Sequence, residues 1–207
     1  MRKIVVNTFL SLDGVMQAPG GAGEDPSGGF DLEGWSVNYW DEAMGQRMAE
    51  IMGSPFDLLL GRKTYQIFAS YWPKVTDPGD PIASKLNTLP KYVASTTLQD
   101  VGWHNSSLLG GDVAAEVAKL KERPGGELQV HGSGQLAQTL IDHDLVDEYR
   151  LLFFPVHLGS GRKLFRDGTR AAALRLTSTS TTSTGVIVAT YEPDGPARYG
   201  SFEHPDA

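Results

Sequence analysis

The chain has 207 residues, 40% hydrophobic and 21% charged, with a formal net charge of −7 and no cysteine. That length holds one sizeable core, and no stretch approaches the roughly 18 uninterrupted apolar residues of a membrane span, so a single soluble domain is expected. The missing cysteines exclude disulfides, thiolate nucleophiles and Cys-ligated zinc, including the His/Cys/Cys site of nucleobase deaminases. The acidic balance, with scattered cations, argues against nucleic acid as a partner, so any anionic ligand must be met by local charge. Met1–Val6 lacks a signal-peptide cleavage pattern, and a cytoplasmic location is expected.

Ile4 to Phe9 reads as a first strand. Ser11-Leu12-Asp13-Gly14-Val15-Met16 then leads into a glycine-rich stretch, Ala18 to Gly29, read as a mobile lid or else as disorder. Trp35, Tyr39 and Trp40 precede a helix that opens on Asp41-Glu42 and carries an apolar stripe of Met44, Met48, Ile51 and Met52. The aromatics could cover a planar ligand or plug the core, and the acidic pair could meet a substrate or only compensate the helix dipole. Phe56 to Leu60 is a buried-strand run, followed at once by Gly61-Arg62-Lys63-Thr64-Tyr65 and a helix to about Ser70. Two cations and a hydroxyl at a strand-to-helix turn suit a phosphate, the alternative being a solvated basic helix start; the Walker pattern is not met. A Pro-rich connection from Trp72 through Pro81 passes to a strand at Lys91–Ala94 that ends on Ser95-Thr96-Thr97.

A helix over Asp112 to Lys121 stops at Pro124-Gly125-Gly126, and the strand from Glu127 feeds His131-Gly132-Ser133-Gly134-Gln135-Leu136-Ala137. This second strand-glycine-helix turn aims free N–H groups at an anion, or else it binds nothing. Its G-x-G-x-x-A spelling lacks the acid expected about twenty residues on, where Phe153, Phe154 and Pro155 stand, which argues against an ordinary Rossmann domain. Glu148 to Phe154 is a strand, and Leu174–Thr182 pairs with Val186–Glu192 as an antiparallel hairpin. The only adjacent cation pairs near glycine turns are Arg62-Lys63 and Arg162-Lys163. There is no G-x-S-x-G elbow and no histidine spacing suited to a metal. The pattern is α/β with a mixed sheet over residues 1–192 and a loose tail over 193–207.

Taken in order, Ile4–Thr8 with Ser11-Leu12-Asp13-Gly14, Leu60–Tyr65, Val130–Gly134, Leu145–Arg150 and Pro155–Gly161 resemble the dihydrofolate reductase superfamily. Within it, the chain is similar to single-domain relatives of the reductase part of bacterial riboflavin-biosynthesis deaminase-reductases. The resemblance covers roughly residues 2 to 192. It implies a three-layer dihydrofolate-reductase-like fold with a mostly parallel central sheet and a C-terminal antiparallel hairpin, and it implies bound NADPH. Gly61, Arg62, Lys63 and Thr64 would hold cofactor phosphates, with Arg62 at the 2′-phosphate. His131, Gly132, Ser133, Gly134, Gln135 and Leu136 would surround the pyrophosphate. Ser95 and Thr96 would lie at the adenosine end, and Thr8 and Met16 near the nicotinamide. Asp41 is the preferred carboxylate for substrate and proton transfer, with Asp13, Trp40 and Glu42 beside it. The activity implied is hydride transfer to a C=N or C=O bond of a small heterocycle, by a homodimer acting without a metal. The alternative is a non-catalytic NADP(H)-binding or regulatory protein on the same scaffold.

Overall fold

The computed structural model describes residues 1–202. Its centre is an eight-stranded sheet in the order β4-β3-β2-β5-β1-β6-β8-β7. The strands are β1 (Ile4–Ser11), β2 (Phe56–Gly61), β3 (Lys91–Ala94), β4 (Ser106–Leu109), β5 (Glu127–His131), β6 (Glu148–Phe154), β7 (Leu174–Thr181) and β8 (Ile187–Pro193). The pairs among β1 to β6 are parallel, and β8 runs antiparallel to both β6 and β7. β1 and β2 are largely apolar because both of their faces are covered, as parallel strands in a layered fold require, whereas β5 alternates as Glu-Leu-Gln-Val-His and buries Gln129 as well as Leu128 and Val130.

Helices α1 (Glu42–Gly53), α2 (Arg62–Tyr71) and α3 (Pro81–Thr88) pack on one face, where Met44, Met48, Ile51, Tyr65 and Leu86 meet Phe56, Leu58, Leu60, Leu152 and Val188. On the other face lie α4 (Val113–Glu122) and α5 (Gly134–Asp142), whose Val117, Leu120, Leu136, Leu140 and Ile141 cover Ile4, Val6, Leu128 and Val130. The result is the expected three-layer α/β architecture with a C-terminal antiparallel hairpin.

Two elements go beyond the sequence expectation. The Pro-rich connection contains α3, with the Asp80 side chain accepting from the N–H groups of Ile82 and Ala83, and Pro81 in its first turn. β4 is a short edge strand paired only with β3.

The glycine-rich segment between β1 and α1 is a self-packed loop with its own small core of Val15, Ala18 and Phe30. The buried Gln17 donates from Nε2 to the carbonyls of Asp25 and Ser27, both at 2.9 Å. Glu33 accepts from the N–H groups of Gly23 and Asp25, each at 2.7 Å, and Trp35 Nε1 donates to the Gln17 carbonyl. The reading of this stretch as disordered gives way to a loop that satisfies its backbone internally. Beyond β8, Asp194 and Gly195 exchange backbone hydrogen bonds with Ala173, and residues 203–207 lie outside the described part of the chain.

The amino-terminal ends of the central strands are clamped by charge. Arg2, almost wholly buried, donates to Asp57 at 2.6 Å and to the carbonyls of Gly126 and Glu127, so the N-terminus holds β2 and β5 together at their starts. Gly126 is tight against this clamp: a Cβ there would stand 2.0 Å from the Pro55 carbonyl oxygen. Gly126→Ala is therefore expected to cost roughly 2–4 kcal/mol in urea unfolding, as an overpacked, displaced backbone does. Gly45→Ala, at the end of the first turn of α1 with open space around its Cβ, is expected to gain about 0.5–1 kcal/mol in the same measurement.

Candidate functional site

β2 and β5 are neighbours, yet the chain leaves β2 into α2 on one face and leaves β5 into α5 on the other. Such a divergence opens a crevice at the carboxyl ends of the strands, the usual ligand position in open α/β sheets. The two glycine turns of the sequence, seventy-odd residues apart, meet there and interlock. The Gly61 N–H donates to Ser133 Oγ at 3.0 Å, and the Ser133 N–H donates to Thr64 Oγ1 at 3.1 Å. Ser133 is held in the left-handed region (φ 53°) next to Gly132 (φ 56°), and this bend turns the start of α5 toward the crevice.

Neither helix start carries a side-chain cap. Among the described residues, the N–H groups of Lys63 and Thr64 on α2, and of Gly134, Gln135 and Leu136 on α5, have no protein acceptor. Unpaired donors at two helix N-termini form a positive concavity suited to a phosphate. Met16 closes the side of this cradle, its Sδ lying 3.1 Å from where a Cβ on Gly134 would be.

Arg62 is exposed, with its guanidinium reaching only Gln66 at 3.3 Å and no carboxylate among the described residues. Gly61 is in register with Ala94, which places Ser95 and Thr96 beside the Arg62 turn. Ser95 Oγ caps its own turn by accepting from the Thr97 and Leu98 N–H groups, whereas Thr96 is exposed. The expected cofactor residues Gly61, Arg62, Thr64, Gly132, Ser133, Gly134, Gln135 and Met16 thus come together. The hydroxyls of Thr64 and Ser133 join the turns to each other, so the groups left without a partner at the crevice are backbone N–H groups. Leu136 is a core residue, and Thr8 is buried in β1. Lys63 points to the glycine-rich loop, donating to Asp25 Oδ1 at 2.9 Å and to Ser27 Oγ at 2.7 Å.

The face beneath α1 holds the other candidates. Phe9, Phe154, Trp35 and Tyr39 form an aromatic cluster, while Trp40 stands 47% exposed with its ring 6.3 Å from Phe9. Two of the three loop aromatics, Trp35 and Tyr39, therefore plug the core, and Trp40 remains at the surface. Two residues before Phe9 lies Asn7, 5% exposed, with neither amide atom hydrogen-bonded. Asn7 is in register with His131 on β5 and Arg150 on β6. The His131 ring bonds Gln129 at 3.1 Å, and burial together with the Arg150 charge pushes it down to about 4, so it is neutral at pH 7. Its partner is thus within the sheet, as for a satisfied strand-end histidine.

Asp41, expected to face a substrate, has both carboxylate oxygens committed elsewhere. Oδ1 accepts from the Met44 N–H at 2.7 Å as the α1 N-cap, and Oδ2 accepts from Ser183 Oγ at 2.5 Å and the Thr184 N–H at 3.2 Å in the hairpin turn. The Ser183 hydroxyl, with the Met44 N–H, holds its carboxyl below the usual range. Glu42 follows, exposed in the first turn. These contacts give Asp41 a capping and bracing role in place of the expected proton relay.

Asp13 is likewise a fastening. It accepts from Ser11 Oγ at 2.6 Å, from the Leu158 N–H at 3.0 Å and from the Gly159 N–H at 2.8 Å, joining the end of β1 to the loop after β6. The Ser11 hydroxyl and these two N–H groups hold its carboxyl down to about 2. A depressed carboxylate contributes stability that is present above its unfolded value near 4 and is lost as pH falls through 2. Asp13→Asn is expected to flatten that part of the acid limb of a stability–pH curve. Asp13→Ala is expected to cost on the order of 1–3 kcal/mol at pH 7 in denaturant unfolding.

Similarity to known proteins runs over almost all of this structure. The uncharacterized protein YyaP of Bacillus subtilis is 29% identical over 196 residues, which cover 94% of this chain and 96% of that one. A Shewanella sp. PV-4 protein ascribed to riboflavin biosynthesis superposes with a TM-score of 0.63 at 22% identity, over 93% of this chain and 99% of the other. Dihydrofolate reductase from Enterococcus faecalis, solved with NADP(H), superposes with a TM-score of 0.55 at 12% identity, over 93% and 96% of the two chains. With residues 2–188 matching the RibD C-terminal domain, the chain belongs to that family.

Proposed function

We propose that the protein is an NADP(H)-dependent reductase of a small planar heterocycle or related carbonyl or imine compound. The observation that carries this reading is the pair of uncapped helix starts, locked together at the β2/β5 crevice with the unpaired Arg62 beside them. The residues fit a dinucleotide: backbone N–H groups suit a pyrophosphate, and a planar guanidinium suits a 2′-phosphate. NADPH bound there would supply the hydride.

The chain's own part is to place and to shield. Met16 and the turn at Gly132–Gly134 border the crevice, and the self-packed loop over residues 17–34 would keep water from it. On the face under α1, Phe9 with Trp40 offers ring faces, and the buried amide of Asn7, unpartnered among the described residues, would supply a donor and an acceptor to a heterocycle edge once that face opens. His131, neutral at pH 7, can orient a substrate but has no proton to spare for it.

Cofactor binding without turnover is a second reading, favoured by one observation: Asp13 and Asp41 both spend their carboxylates on structural bonds. An NADPH-oxidation screen against pterins, flavin precursors and quinones separates the two. Tight binding with no oxidation by any of them would support the second.

Titration calorimetry at one salt concentration tests the site itself. Arg62→Ala is expected to weaken NADPH roughly ten- to a hundredfold, since a charge-assisted hydrogen bond contributes about 1.5–3 kcal/mol, and to leave NADH nearly unchanged. Equal losses for the two cofactors would remove Arg62 from the 2′-phosphate. A homodimer is also proposed, with the outer strand β7, exposed along nearly its whole length, as the edge to be covered. Light scattering should then give about twice the 22.4 kDa of one chain, and a monomer at micromolar concentration would refute it.

A further inference from the structure

One residue from each of the two adjacent cation pairs near glycine turns, Lys63 from Arg62-Lys63 and Arg162 from Arg162-Lys163, converges on a single carboxylate in the self-packed loop. Lys63 Nζ donates to Asp25 Oδ1 at 2.9 Å, and the Arg162 guanidinium pairs with Asp25 Oδ2. Ser27 Oγ accepts from both cations, at 2.7 Å each. The Asp25 side chain is only 11% exposed, whereas Lys63 and Arg162 are 46% and 50% exposed, so the acid lies inside and the cations reach over it. Beneath, Gln17 grips the same segment by its carbonyls and also accepts from the Arg162 N–H at 3.0 Å.

The position of these contacts in the sheet gives them meaning. Lys63 follows β2 and Arg162 follows β6, and the order β2-β5-β1-β6 puts the ends of β5 and β1 between them. Three inter-strand spacings are about 14 Å, a span that two long basic side chains can close onto one carboxylate but a direct contact cannot. The segment Asp25-Pro26-Ser27 therefore crosses the crevice as a strap, with a cavity of about 380 Å³ against it lined by Glu24, Ser27, Lys63, Gln66 and Ile67 among others. The strap takes Lys63 out of the set expected to hold phosphate, but among the described residues Arg62 meets no carboxylate and the N–H groups at the starts of α2 and α5 stay unpaired while it is shut. A counter-ion that competed with the ligand would occupy those groups instead.

We infer that Asp25, bridging Lys63 and Arg162, is an ionic bolt that holds residues 18–34 shut across the crevice, and that ligand exchange requires the bolt to open. The exchange half of this statement rests on the dinucleotide reading of the site; the bolt itself does not. Because two of its three charged groups are half exposed, salt loosens it.

Amide hydrogen exchange on the ligand-free protein tests the bolt, read at Gly23, Gly34 and Ser36, whose N–H groups are bonded within the loop. Asp25→Asn, close in size but uncharged, should accelerate these amides at least about tenfold, and Arg162→Gln should do the same. In the wild type they should quicken as salt is raised from about 0.05 to 0.5 M, and in Asp25→Asn that response should vanish. Lys163→Gln, the neighbouring cation outside the bolt, should exchange as wild type. Wild-type protection in both Asp25→Asn and Arg162→Gln would overturn the bolt. Stopped-flow dissociation of NADPH tests the gate: release should speed up at least about tenfold in Asp25→Asn, and faster exchange with unchanged release would overturn it. Should the wild type bind no dinucleotide, the reading of the site falls and the gate with it, while the exchange rates still decide the bolt.

Discussion

The architecture turns on one constraint, that two adjacent parallel strands send their helices to opposite faces of the sheet. α2 and α5 must then begin side by side, and the start of each brings backbone N–H groups with no partner of their own. Burying those groups unpaired would cost several kcal/mol, and pairing all of them internally would close the crevice. The structure takes a middle course. Ser133 and Thr64 each satisfy one donor of the opposite turn, and the rest of the donors stay directed into the gap. Ser133 sits in a left-handed conformation that is unfavourable for a residue with a Cβ, and its two hydrogen bonds to the β2–α2 turn account for its staying there.

The acidic side chains around this gap have a common use. Asp13, Asp25 and Asp41 each collect backbone N–H groups, hydroxyls or cations from segments far away in sequence, and Glu33 collects two N–H groups within its own loop. Loops without regular structure need such acceptors, because their backbone donors have no ladder to join. The negative balance of the chain is thus spent partly on fastening its loops, and Arg62 is left as a cation free of any carboxylate among the described residues.

Most of the layered fold was legible in the sequence, because apolar runs followed by glycine and a 3.6-residue stripe report both the element and its burial. The glycine turns were legible for the same reason, but not that Ser133 and Thr64 tie them to each other, because those partners lie about seventy residues apart. α3 was hidden by its prolines, although Asp80 before Pro81 carries the cap and first-turn signal; β4 was hidden because a half-exposed Ser-Ser-Leu-Leu edge has no alternation to show. The roles of Asp41 and Asp13 could not be read locally. Their partners lie 142 and about 145 residues away, and only the fold brings them near. Asn7 did leave a trace, as the first polar residue in an apolar strand, but its lack of a partner is a property of three dimensions.

The brace between Asp41 and the hairpin turn has a bearing on how the molecule is made. β1, synthesised first, lies in the middle of the sheet and finds its two neighbours only when β5 and β6 exist. The helix start at Asp41 waits longer still, for Ser183 and Thr184 near the end of the chain. Contacts of such long range are slow to form and leave apolar edges unpaired in the meantime. A nascent chain halted before the hairpin would therefore carry both glycine turns and an unbraced α1, so the β2/β5 crevice has all of its strands and helices before the face under α1 has its brace.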